Sequence, residues 1–131
     1  MRLFRIPFST NVERVTLALA HKGLEAEPVD VDPADRSPVV AVSGQSLVPV
    51  LEDEGRVVSD STHILEYLEE RYPDPHVYPR DPARRAECVV FVDWFNRAVN
   101  SEGGAPTEVS IAQAMSADAI TAPLRPSTAR R

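Results

Sequence analysis

A helix framed by two short strand candidates sets the opening of this chain. Thr10-Asn11-Val12-Glu13 has the Ser/Thr-x-x-Glu spacing of a capping box, and Val12, Val15, Ala18 and Leu19 continue as one helical stripe that ends at Gly23. Before it, Leu3–Ile6 is a short apolar-rich segment broken by Pro7, a first strand. After it, Glu25–Val31 alternates in strand fashion and carries Pro28, which suits an edge position.

The rest of the first eighty residues extends this pattern. Asp35–Ser43 reads as an irregular helix with Pro38 near its start. Val48–Glu52 and Arg56–Ser59 flank Asp53-Glu54-Gly55, a short loop that joins two strands into a hairpin. From Ser61 a helix with Ile64, Leu65 and Leu68 on one face runs to Arg71, and Pro73 and Pro75 stop it. Asp81-Pro82 opens another helix with a capping residue and first-turn proline in favoured places, carrying Val89, Val92, Phe95 and Val99. The order β-α-β-α-β-β-α-α is that of an α/β fold with one crossover and one hairpin.

Composition bounds the function. A length of 131 residues suits one domain and a short appendage, and 43% hydrophobic with 26% charged residues excludes wholesale disorder. A net charge of −6 argues against nucleic acid or an anionic membrane surface as main partner. The single cysteine, Cys88, excludes an intramolecular disulfide, a CxxC pair and a cysteine-based zinc knuckle, and fits a reducing, cytosolic setting. No apolar run approaches the roughly 18 residues of a membrane span, and the first residues do not read as a signal peptide. His21, His63 and His76 lack ligand-like mutual spacing, so no metal site is expected. Cys88, between helical neighbours, reads as a buried, inert thiol.

The composition breaks near residue 100. All eight aromatic residues lie between Phe4 and Phe95, and eleven basic and seventeen acidic side chains fall in residues 1–100, against three of each in 101–131. The stretch from Ser101, rich in Ala, Ser, Thr and Pro, reads as a low-order tail with one marginal helix around Glu108–Ala119.

Three segments carry a family likeness. Ser9 to Ala20 followed by Lys22-Gly23-Leu24, Val48-Pro49-Val50-Leu51-Glu52-Asp53, and Asp60-Ser61-Thr62-His63-Ile64-Leu65-Glu66-Tyr67-Leu68 together resemble the amino-terminal domain of cytosolic glutathione S-transferases. The resemblance implies a thioredoxin-like βαβαββα domain over residues 1–80 that binds glutathione. It makes 81–100 the first helix of an all-helical domain, which in the family supplies the pocket for a hydrophobic electrophile and much of a homodimer interface. Residues 101–131 do not continue the likeness, which predicts a truncated helical domain and an exposed apolar Val89–Val99 face.

The resemblance also assigns roles. A thiol with a free pKa near ~8.5 is only a few per cent anionic at neutral pH, so a transferase must stabilise the thiolate. Ser9 occupies the position where serine-type members keep the activating hydroxyl, and Thr10 is the alternative activator. Val12 stands where glutaredoxins keep their second cysteine, so disulfide exchange is unavailable. Without the resemblance Ser9 reads as a turn or capping residue. Asp60-Ser61, at a helix start whose amides and hydroxyl suit a carboxylate, implies a grip on the γ-glutamyl group, although plain N-capping accounts for the pair as well. Val48 implies main-chain pairing with the cysteinyl unit, next to a cis Pro49 that without the family would be read as trans. Gln45 implies a contact with the glycyl end. A non-enzymatic partner-binding module of the same fold is the alternative to an enzyme.

Overall fold

The computed structural model describes residues 1–101, with side chains up to Arg97. The elements, in chain order, are β1 (Arg2–Arg5), α1 (Thr10–His21), β2 (Glu27–Asp30), α2 (Ser37–Ser43), β3 (Val50–Asp53), β4 (Arg56–Ser59), α3 (Ser61–Arg71) and α4 (Pro82–Ser101). One compact unit covers Met1–Asp81, and a second begins at Pro82. The expectation of a low-order tail with a marginal helix lies outside the described residues.

The four strands form one sheet in the order β2-β1-β3-β4, with β1 and β2 parallel and the other neighbours antiparallel. Pro28 sits in the edge strand, where a missing N–H breaks no ladder on its open side. The central strands are buried on both faces: Leu3, Phe4, Val50 and Leu51 all lie in the core. Because side chains alternate along a strand, these four divide between the two faces. Phe4 and Val50 pack with Val31 and with Val39 of α2. Leu3 and Leu51, register partners, point the other way; α3 packs against β3 and β4, and α1 packs against α3. There the stripe Val12, Val15, Ala18 and Leu19 and the stripe Ile64, Leu65 and Leu68 are buried, as their spacing predicts.

Local chemistry explains the boundaries. Helix α1 stops at a Schellman turn: the Leu24 amide donates to Leu19 O at 2.9 Å and the Gly23 amide to Ala20 O at 3.1 Å, with Gly23 at φ +65°. Strand β3 starts at Val50 rather than Val48, because Pro49 offers the ladder no N–H. Helix α2 starts at Ser37 rather than Asp35; the Asp35 carboxylate instead braces the turn before it, accepting the Ser37 amide at 3.0 Å. Hydrogen bonds from the Ser37 side chain and amide hold the Asp35 carboxyl below its ordinary pKa.

In the second unit, α4 runs from Pro82, as the cap-and-proline pair predicts. Val89, Val90 and Phe91 are about half exposed, at 51%, 54% and 51%. Cys88 is half-buried rather than buried, because flanking Val89 and Val90 do not enclose it. No described helix is long and apolar enough to cross a membrane.

Candidate functional site

The sheet register brings the three singled-out segments together. Phe4 of β1 pairs with Val50 of β3, and Val50 pairs with Ser59 of β4. The end of β1, the start of β3 and the end of β4 therefore share one end of the sheet. Ser9 follows β1 by four residues, Val48-Pro49 precedes β3, and Asp60-Ser61 follows β4. No single segment makes a site; their convergence does.

At the first segment the helix begins one residue earlier than its sequence suggests. Ser9, not Thr10, is the N-cap: it is extended (φ −79°, ψ 117°) and its carbonyl accepts the Glu13 amide at 3.0 Å. That register puts Glu13 at the fourth helical position, one too far along for a capping box, and Thr10 becomes an exposed first-turn residue. The Ser9 side chain makes no capping hydrogen bond. A half-buried serine at the positive end of a helix, with its hydroxyl uncommitted to the cap, is chemically suited to donate to an anion. Phe8 beside it takes φ +65° with its side chain fully exposed, an uncommon conformation for a bulky residue.

At the second segment the Val48–Pro49 peptide is cis, with Val48 half-buried and Pro49 buried. Gln45 is committed to its own loop. Its Oε1 accepts the Leu47 amide at 2.6 Å, and its Nε2 donates to Leu47 O at 2.9 Å and reaches Ser43 Oγ at 3.1 Å and Ser59 Oγ at 3.4 Å. The amide thus ties the loop before Val48 to the end of β4, and a ligand contact through it must displace these bonds.

The third segment is more occupied than a bare helix start. Asp60, at φ +73°, caps α3: its Oδ1 accepts the Thr62 amide at 2.8 Å and the His63 amide at 3.4 Å. Two amides that the sequence leaves open are thereby taken, and Ser61 beside the cap is itself buried, at 5% exposure. Asn11 and Arg14, three apart on α1, face this turn. The Ser61 hydroxyl lies 3.5 Å from Asn11 Oδ1, and Arg14 donates to Thr62 Oγ1 at 2.8 Å. Sequence reasoning missed both residues, although their i, i+3 spacing marked one face of α1.

Two buried polar clusters outside the site hold the scaffold. Asp53 accepts the hydroxyls of Tyr67 and Tyr72, each at 2.8 Å. Burial, the Asp53 hydrogen bond and the Asp53 charge push the Tyr67 phenol up to about 12, against the opposing Arg56 charge. Lys22 and Glu69 form an ion pair beneath the segment after α3. His63 and His76 are exposed, and His21 meets the His76 carbonyl at 3.1 Å. Among the described residues no group of three or more His, Cys, Asp or Glu side chains is placed to hold a metal ion.

Comparison with known proteins identifies the frame around this geometry. Residues 3–76 match the family model of the glutathione S-transferase N-terminal domain. A maleylacetoacetate isomerase of Pseudomonas aeruginosa is 42% identical over 93 residues, which is 66% of this chain and 44% of that protein. A crystal structure of a maleylacetoacetate isomerase from Anaeromyxobacter dehalogenans, with dicarboxyethyl glutathione and citrate bound in its active site, superposes with a TM-score of 0.65. It is 35% identical, and the match covers 79% of this chain and 51% of that one. The beta-etherase LigF of a Sphingobium strain superposes at 0.68 with 33% identity, over 92% of this chain and 54% of that one. The chain spans less than half the length of the first curated relatives it matches, 44%, 49% and 41% of them. A thioredoxin-like sheet, a family model over more than half the chain and these relatives agree, and the chain belongs to the glutathione S-transferase family.

Proposed function

We propose that this chain binds glutathione across the three convergent segments and stabilises its thiolate. In this reading Asp60 and Ser61 hold the γ-glutamyl group, the Val48 main chain pairs with the cysteinyl unit beside Pro49, and the Ser9 hydroxyl faces the sulfur. Thr10 is the alternative activator, and Gln45 acts by holding the loop that presents Val48. The observation that carries the reading is the Phe4–Val50–Ser59 alignment, which delivers all three segments to one end of the sheet.

Magnitudes are consistent with this role. Lowering a thiol pKa by about two units requires roughly 2.7 kcal/mol of preference for the anion. A hydroxyl donating to an anion contributes about 1.5–3 kcal/mol. The positive end of a helix adds about 0.3–1 kcal/mol. Ser9 is the N-cap of α1, which supports a reading in which its hydroxyl and the helix end act together. The resulting thiolate would attack a hydrophobic electrophile in a reducing, cytosolic compartment. The relatives bear different activities in their names, isomerase and etherase. That variety is expected when this domain grips a common thiol co-substrate and other residues select the electrophile.

Calorimetric titration with glutathione tests the reading. Binding at or below millimolar concentration is expected, and no heat of binding at several millimolar overturns it in favour of a partner-binding module.

A further inference from the structure

We infer that Arg14 is a positioning residue for the start of α3, acting through Thr62; this rests on the glutathione reading. Asp60 and Ser61 can serve a ligand only if the turn they share is held still, and Asp60 sits at φ +73°, a backbone conformation that side-chain-bearing residues rarely adopt. The Asp60 carboxylate is tied to the Thr62 amide at 2.8 Å, and the Thr62 hydroxyl accepts from the Arg14 guanidinium at 2.8 Å. Arg14, Thr62 and Asp60 thus form a chain of contacts from α1 into the strained turn. Asn11, one turn earlier on the same face of α1, stands 3.5 Å from the Ser61 hydroxyl. The helix whose first turn would activate the thiol therefore also fixes the turn that would hold the γ-glutamyl end of the same tripeptide. A planar fork suits this task better than a flexible ammonium, because it orders fewer rotors per hydrogen bond.

A double-mutant cycle on the full chain tests the inference. Glutathione affinity is measured by calorimetry for the unmodified protein, Arg14→Met, Thr62→Val and the double variant, and bound thiolate is followed by its ultraviolet absorbance against pH. Each single change should weaken binding about tenfold, and the double change about tenfold as well, since both remove one interaction. Thr62→Val should leave the titration midpoint of the bound thiol unmoved, whereas general loosening of the site would shift it. Thr62→Ser, which keeps the hydroxyl, should bind as the unmodified protein does, and it carries the test if Arg14→Met does not fold. Unchanged affinity in Thr62→Val, or losses that multiply in the double variant, overturn the role of Arg14. Absence of binding by the unmodified protein overturns the glutathione reading itself.

Discussion

Lys22 Nζ lies 2.7 Å from Glu69 Oε1, with the two side chains 0% and 10% exposed. The ammonium also donates to the carbonyls of Tyr72 and Pro75, each at 2.8 Å, while Glu69 accepts the Val77 amide at 2.7 Å. The pair joins the end of α1 to the chain leaving α3. Removing one partner strands a buried charge, so Glu69→Ala should cost about 3–5 kcal/mol in urea unfolding, while Lys22→Met with Glu69→Leu should cost clearly less. Acid should act at the same point. Burial alone raises the Glu69 pKa, but hydrogen bonds from Lys22, Val77 and Tyr78 and the Lys22 charge outweigh it and hold the carboxyl below its ordinary range. A depressed folded pKa means stability fully present above about pH 4.5 and lost as pH falls through the lower folded value. Unfolding midpoints measured from pH 6 to pH 2 (roughly the carboxylate range) should show that loss, and Glu69→Gln should flatten it.

Tyr67 makes the opposite prediction at high pH. Its phenol ordinarily ionises near 10.0 and here is pushed up to about 12. The folded state favours the protonated form, so its contribution is intact below pH 10.0 and disappears as pH rises through about 12. Tyr67→Phe keeps the ring under Arg56 and removes one hydroxyl from Asp53. It should cost about 1–2 kcal/mol at neutral pH and reduce the alkaline loss of stability. Phenolate absorbance, recorded with unfolding midpoints over the same range, checks both halves.

Asp60 combines a favourable cap with an unfavourable backbone. Asp60→Ala loses the cap and keeps the positive φ, and should destabilise by about 1–2 kcal/mol. Asp60→Gly loses the cap but relaxes the backbone, and should fall within about 0.5 kcal/mol of the unmodified protein. Denaturant midpoints that rank Gly below Ala would contradict this account of the turn.

Ser9→Ala separates stability from chemistry. Since the hydroxyl makes no capping hydrogen bond, the fold should change by no more than about 0.5 kcal/mol. The bound thiol, by contrast, should become less acidic by about one pKa unit or more, with glutathione affinity nearly retained. An unmoved thiol titration would transfer the role to Thr10 or to the helix end alone.

The readable parts of the sequence were those in which neighbours in the chain are neighbours in space. The stripes of α1 and α3, Pro28 in an edge strand and a hairpin loop at Asp53-Glu54-Gly55 are local patterns, and the structure contains them, with Asp53 drawn into β3 by its pairing with Arg56. The start of α1 was misread because capping needs a backbone conformation as well as a spacing, and the turn through Phe8 ends one residue earlier than the Thr10–Glu13 spacing implies. The four hydrogen bonds of the Gln45 amide to Ser43, Leu47 and Ser59 are not legible in the sequence, because the one to Ser59 exists only once β4 is folded beside the loop. Lys22 with Glu69, Asp53 with Tyr67 and Tyr72, and Arg14 with Thr62 were illegible for the same reason. Each pairs residues from separate elements, and only the folded sheet sets their distance.

Phe4, Val50 and Ser59 stand abreast on one rung of the sheet, with the Asp53–Arg56 turn at the far end of the β3–β4 hairpin. Insertions in that turn lengthen the hairpin away from the Phe4–Val50–Ser59 rung and leave the spacing of Ser9, Val48 and Asp60 as it was. One residue added between the rung and any of those three breaks the spacing at once. The domain therefore has a permissive pole and a restricted pole. Loop grafts, tags and drifting sequence belong at Glu54-Gly55, while the opposite pole keeps its length residue for residue.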